Sequence, residues 1–103
     1  MKIALIVPAY KPTEDMIPML EQFAHTEEYV PVVVNDGSGP EYDALFDRIP
    51  EGCVRLNHEV NRGKGAALKT AIGYVLENMP ECGLAVTADA DGQLHYEDIR
   101  LVV

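Results

Sequence analysis

The chain is short of basic residues. Eight lysines and arginines stand against 17 aspartates and glutamates, so the formal net charge at neutral pH is −9. That balance argues against nucleic acid or an anionic membrane as the main partner. It also sets a condition on any phosphate-bearing ligand, which would need local basic groups, backbone N–H donors or a bridging cation. Cysteine is scarce too. Cys53 and Cys82 are the only two, with no CxxC spacing, and two buried free thiols are expected. No apolar run approaches the length of a membrane span. The opening "MKIALIVPAY" is basic and then apolar, like a signal peptide, but its apolar run is short and Pro8 interrupts it. A buried first strand in a cytoplasmic chain is the expectation. Repeats, low-complexity tracts and internal linkers are absent, and 103 residues suffice for one domain with a real core.

What is present is a regular alternation of strand-like and helix-like segments. "KIALIV" (2–7), "VPVVVN" (30–35), "CVRLNH" (53–58) and "GLAVTAD" (83–89) read as strands. They are near-continuous apolar runs, as expected when both sheet faces are covered. A first helix is expected from about Thr13, with Thr13 as its cap, and Pro18 near its start. Met16, Leu20 and Phe23 would share one face. A short helix is expected over 41–47. The clearest helix is "GKGAALKTAIGYVLENM" (63–79), where Leu68, Ile72, Val75 and Met79 recur at three- and four-residue spacing. A last helix is expected to begin near His95, with Glu97 and Asp98 in its first turn. The β-α-β alternation predicts an α/β fold with a mainly parallel sheet flanked by helices. The pattern stops at "IRLVV" without a cap, so the chain reads as the first part of a longer protein.

In such a sheet, ligands bind beyond the carboxyl ends of the strands. The sequence loads those ends. They carry Pro8-Ala9-Tyr10, Asn35-Asp36-Gly37-Ser38-Gly39, Asn61-Arg62-Gly63-Lys64-Gly65 and Asp89-Ala90-Asp91-Gly92-Gln93. Taken singly, most have an ordinary explanation. "NDGSG" is good turn chemistry. "NRGKG" opens a helix and suits a plain start as well as a phosphate contact, and it lacks the GxxxxGK[ST] spacing. Tyr10 could cover a sheet edge, and His95 could cap a helix.

"DADG" is harder to explain structurally. Two carboxylates one residue apart repel each other, and each is costly to desolvate. Oxygen ligands at this spacing suit Mg²⁺ or Mn²⁺, which take one or two carboxylates together with substrate phosphates. The glycine comes too early for an EF-hand loop, and the glutamate at its twelfth position is missing.

Four pieces, "IVPAY", "VVVNDGSG", "NRGKGAALKTAI" and "TADADGQLHYEDI", stand in an order and at separations that match a known family. The chain resembles the amino-terminal, nucleotide-binding half of the family-2 inverting glycosyltransferases, whose fold is the Rossmann-like GT-A fold. "DADGQ" followed by "EDI" looks most like the branch that transfers mannose or glucose to polyprenol (dolichol) phosphate. The resemblance spans nearly all of residues 1–103, as a single partial GT-A domain without its acceptor half.

The resemblance implies a set of roles. Pro8, Ala9 and Tyr10 would line the base pocket, and Asp36 would contact base or ribose. Lys64, with the backbone of Gly63 and Gly65, would lie near the nucleotide. Asp89 and Asp91 would be the DxD pair on the metal and diphosphate, with Gln93 completing the shell around Mg²⁺ or Mn²⁺. The family's commoner "DDGS" is "NDGSG" here, which leaves the base, uracil or guanine, open. The donor would be a UDP- or GDP-sugar and the acceptor undefined, polyprenyl phosphate being the branch's example. The implied chemistry is direct displacement with inversion. The general base would lie beyond Val103, so these residues would bind donor without turnover. The parent enzyme could work at the inner membrane face, and a bare sheet edge would favour self-association.

Two other readings compete. "DADG" also resembles the DxDG loop of haloacid-dehalogenase-type phosphatases and phosphotransferases, but that loop follows their first strand and here follows the fourth. A non-catalytic nucleotide-binding domain is the other. A nucleotidyltransferase would usually carry a glycine-rich basic loop after its first strand, where "VPAYKPTED" has no glycine.

Overall fold

A segment such as Ala4-Leu5-Ile6-Val7 can be stable only where both faces of the sheet are covered, and in the computed structural model all four residues are at most 1% exposed. The structure describes residues 2–90 and 98–100. Its strands are β1 (Lys2–Ala9), β2 (Tyr29–Asp36), β3 (Val54–His58), β4 (Cys82–Thr87) and β5 (Asp98–Arg100). Its helices are α1 (Met16–Ala24), α2 (Asp43–Phe46) and α3 (Lys64–Asn78), with a 3₁₀ turn at Pro40–Tyr42 running into α2. One sheet holds the strands in the order β3-β2-β1-β4-β5, the first four parallel and β5 antiparallel to β4. This is the expected α/β, Rossmann-like architecture.

Alternation along β1 sorts the core into two layers. Leu5, Val7 and Ala9 join Val33 of β2 under α1 and α2, against Met16, Leu20 and Phe46. Ala4 and Ile6 join Val32 and Val34 on the opposite face, under Ala67, Ala71 and Val75 of α3. The centre of the α3 face is thus a row of small residues. Leu68 and Ile72, expected at its centre, pack at its margin. Alanines let the helix backbone approach the sheet closely, a preference that hydrophobic periodicity does not register.

Two prolines fit the pattern for geometric reasons. Pro18 is the third residue of α1, where a backbone N–H would have no intrahelical acceptor. The N-cap of α1 is Asp15 rather than Thr13; Thr13 contributes its carbonyl, which accepts the Met16 N–H. Pro31 lies inside β2. The Ile3 N–H bonds to Glu28 O, so even-numbered residues of β2 face β1 and odd-numbered ones face β3. Pro31 therefore turns its missing donor towards β3, one position before that pairing begins at Val32 and Val54.

The end of the chain departs from expectation. In place of a helix that includes Asp98, residues 98–100 pair with Val86, Ala85 and Leu84 as an antiparallel strand. The outer edge of β4 offers unpaired backbone groups, and pairing with them outweighs the local helix signals. No helix among the described residues is long and apolar enough to cross a membrane.

After β1, β2 and β3 run outward in order, α3 carries the chain back, packing on β2 and β1, so that β4 lands on the other side of β1. The order reverses between β1 and β4, and a crevice forms there at the carboxyl ends. Close packing of α3 predicts that Ala71→Leu lowers the unfolding free energy by about 2 kcal/mol. Leu76→Ala, on the exposed side of α3, should change it by less than about 1 kcal/mol. Urea denaturation followed by circular dichroism measures both.

Candidate functional site

The four loops that follow β1 to β4 meet in one open cleft of about 270 Å³. Pro8, Ala9 and Tyr10 enter from β1, Asp36 from β2, Asn61 and Lys64 from the β3–α3 loop and the head of α3, and Asp89 from β4. Residues far apart in sequence and expected to share a rim do share it. Asn61 is an addition. Gly63 and Gly65 stand at the head of α3 and do not line the cleft. Asp91 and Gln93, expected as metal ligands, lie outside the described residues, as does His95. A second opening of about 210 Å³ continues past Tyr10, sharing Pro8, Tyr10 and Asp89 with the first.

Asp36 is the most constrained polar group in the site. Its side chain is only 3% exposed. Oδ1 accepts hydrogen bonds from the Arg62 N–H at 2.9 Å and from His58 Nδ1 at 2.8 Å; Oδ2 accepts from the Gly63 N–H at 2.9 Å. Burial by itself would raise the carboxyl pKa, but the bond from His58 and the two backbone N–H groups outweigh it and hold the pKa below the ordinary carboxylate value. Asp36 is therefore ionised at neutral pH, and Nδ1 of His58 must carry the hydrogen between them. On the far side of the ring, Nε2 lies 2.8 Å from Thr70 Oγ1 on α3. This relay joins the ends of β2 and β3 to the body of α3.

The same loops are locked together by smaller contacts. Asn61 Nδ2 donates to the Asp36 carbonyl at 3.3 Å. Asn35 Oδ1 accepts the Ser38 N–H at 3.1 Å, closing the turn after β2 as an aspartate oxygen would. The buried Ser38 hydroxyl accepts the Lys11 N–H at 2.9 Å, tying the β1 loop to the β2 loop. Lys11 has φ of +48°, an uncommon conformation for a side-chain-bearing residue, and this bond helps to hold it. Gly37 has φ of +68°, and a Cβ there would sit 2.2 Å from the Asn61 nitrogen. The β3–α3 loop passes directly over it.

At the cleft mouth, Lys64 Nζ stands 3.7 Å from Asp89 Oδ1. With 64% and 35% of the two side chains exposed, this pair contributes little to stability and leaves both groups within reach of a ligand. Tyr10 is 51% exposed beside them, with Lys11 Nζ 5.4 Å from its ring centre. No cluster of three or more His, Cys, Asp or Glu side chains able to hold a metal occurs among the described residues. Asp89, a hard oxygen donor facing the cleft, is of the type Mg²⁺ or Mn²⁺ takes together with a ligand's phosphates. Both thiols are free and away from the cleft lining; burial pushes Cys53 up to about 11 and raises Cys82 too, so neither is a nucleophile at neutral pH.

His58, Thr70 and Ser38 received no role from the sequence. His58 is the last residue of the alternating strand β3 and Thr70 a mid-helix residue, positions where such residues usually need no special account. Nothing local marks His58 and Thr70 as partners, because the end of β3 and the middle of α3 meet only in the folded chain.

Fold and cleft together define a Rossmann-like α/β domain with a ligand crevice at the strand order reversal. The chain belongs to glycosyl transferase family 2, whose family model matches residues 4–103. It is 37% identical over 103 residues to the uncharacterized protein MJ1222 of Methanocaldococcus jannaschii, covering 99% of this chain and 40% of that protein. The crystal structure of S. aureus TarS 1-349 superimposes with a TM-score of 0.67 at 22% identity, over 88% of this chain and 28% of that one. At that identity the likeness is one of fold. The chain thus spans well under half the length of the relatives it matches.

Two outcomes follow from Asp36 and Gly37. The folded chain holds the Asp36 proton less tightly than the unfolded chain, whose value is near the ordinary 3.8. Its contribution to stability is therefore complete above about pH 5 and is lost as pH falls through the lower folded value. Asp36→Asn should flatten this acid limb in melting curves taken between about pH 6 and pH 3. Gly37→Ala should cost more than about 2 kcal/mol, read by urea denaturation, because both the backbone angle and the Asn61 contact oppose a side chain.

Proposed function

We propose that this chain is the donor-binding part of a metal-dependent, inverting glycosyltransferase that takes a sugar from a nucleotide-diphosphate sugar. Supporting this is the convergence of four loops on one cleft in a member of glycosyl transferase family 2, with Asp89 and Lys64 at its mouth. Family membership implies a nucleotide-sugar donor and an acceptor; the metal, the inversion and a polyprenyl phosphate acceptor belong to the proposal.

Each group has a task it can perform where it stands. Tyr10 offers an exposed aromatic face on which a base can stack, beside the apolar Pro8 and Ala9. Asp36 takes a ring or ribose donor from below. Lys64 offsets phosphate charge in a protein whose net charge is −9. Asp89, Asp91 and Gln93 would hold Mg²⁺ or Mn²⁺ against the diphosphate. When bound, the cation supplies Lewis-acid stabilisation of the nucleoside diphosphate leaving group. An acceptor hydroxyl or lipid phosphate would then attack the anomeric carbon from the opposite side. An acceptor hydroxyl needs a general base, and we place it in the acceptor half of the parent protein.

Titration calorimetry with UDP and GDP, with and without Mn²⁺, tests the reading. Binding should require the cation, and Asp91→Ala should weaken it at least about tenfold without lowering the melting temperature. Failure of the wild-type protein to bind either nucleotide with Mn²⁺ present would leave a non-catalytic scaffold as the better account.

A further inference from the structure

The ends of β2 and β3 carry two polar pairs, and the pleat turns them to opposite faces of the sheet. Asp36 is in register with His58, and their side chains bond to each other and on to Thr70 of α3. Asn35 is in register with Asn57. That pair therefore stands side by side on the other face, the one Val33 shares with α1 and α2. Both asparagines line a separate pocket of about 310 Å³, which has no lining residue in common with the cleft. Asp43, the first residue of α2, and Glu59 line it too.

Asn35 is only 8% exposed. Its Oδ1 accepts the Ser38 N–H, which fixes the orientation of the amide and leaves Nδ2 with two hydrogens to donate. No described residue accepts either of them. Among the described residues, however, no polar side-chain atom is both sealed from solvent and unpaired. Nδ2 therefore reaches solvent, and the opening that Asn35 lines is this pocket. An aspartate oxygen would close the turn equally well; the amide hydrogens are what asparagine adds.

We propose that this pocket is a second binding site, separate from the cleft, for a neutral sugar. Its chemistry excludes the other classes in turn. No lysine or arginine lines it, and both ring nitrogens of His58 are committed, so a phosphate would meet two carboxylates and no cation. A metal ion fits poorly as well. The described residues hold no group of three or more His, Cys, Asp or Glu able to bind one, and Asn35 Nδ2 would turn its hydrogens towards the ion. Pro40 is the one apolar side chain in the lining, too little for a lipid or an aromatic ligand. A sugar hydroxyl, in contrast, donates and accepts at once. One hydroxyl can take an Asn35 hydrogen while its neighbour donates to Asp43 or Glu59, and the Asn57 amide can serve either way. The volume lies at the low end for small-ligand sites, which suits a single ring. The site stands whether or not the cleft binds a nucleotide, because the two are lined by different residues.

Proton–nitrogen correlation spectra provide the test. The protein is titrated with methyl α-glucoside, methyl α-mannoside or N-acetylglucosamine, and separately with calcium chloride and sodium phosphate. At least one sugar should move the side-chain amide signals of Asn35 and Asn57 saturably, with a Kd of about 1 to 10 mM, and leave the backbone signals of Lys64 and Asp89 in place. No response to any of the three sugars overturns the proposal. A response to calcium or phosphate alone does the same, and so does a sugar response confined to Lys64 and Asp89, which would put the sugar in the cleft. Asn35→Asp keeps an oxygen for the Ser38 N–H but replaces the donor with an acceptor. It should weaken sugar binding at least about tenfold. Binding as tight as that of the wild-type protein refutes the role of the amide. A double variant, Asp43→Ala with Glu59→Ala, changes only exposed side chains and should lose binding as well; sugar binding retained there overturns the proposal.

Discussion

An ionised carboxylate buried beneath a ligand cleft has to be satisfied by the protein, and Asp36 is satisfied by three donors from a segment more than twenty residues away. Arg62 and Gly63 lend backbone N–H groups, which requires the β3–α3 loop to fold down over the end of β2. Gly37 makes room for that approach, and Asn61 is brought against the Asp36 carbonyl by it. The first residue of α3, Lys64, is then delivered to the cleft mouth opposite Asp89. Removing the charge on Asp36 would release this whole side of the site, so its influence reaches well beyond its own contacts.

The site is acidic and yet belongs to a family whose donors carry phosphates. Part of the acidity is already neutralised internally. Asp36 is enclosed by hydrogen-bond donors, and Asp89 faces Lys64 across a partly solvated gap. The exposed pair is weak enough to rearrange, whereas the buried relay is not. A ligand would therefore meet a rigid floor and an adjustable mouth. Rigid floors favour discrimination between ligands, and adjustable mouths favour the accommodation of a charged group.

Strands β1 to β4 and the three helices were legible in the sequence because each announces itself locally. β1, β2 and β4, buried on both faces, read as apolar runs, β3 alternates apolar and polar residues, α3 shows helical spacing, and turn residues mark the gaps between them. The loops rich in polar residues after each strand were legible for the same reason, and parallel strand order then required them to share a rim. The final strand was not legible. Its local signals favoured a helix, and the decisive factor was the open edge of β4, which no window of residues 95–103 contains.

Composition and order along the chain were thus enough for the fold class, the family resemblance and the edge of the sheet on which ligands meet the protein. Which polar residues partner one another was settled only when the chain folded. His58 looks like the end of a strand and Thr70 like a helix surface residue until β2 and α3 bring Asp36 and Thr70 to either side of the His58 ring. Likewise, Gly63 looks free to meet a phosphate, but its N–H is committed to Asp36. Such pairings depend on distances across strands and layers. Those distances follow from packing, and local sequence does not encode them.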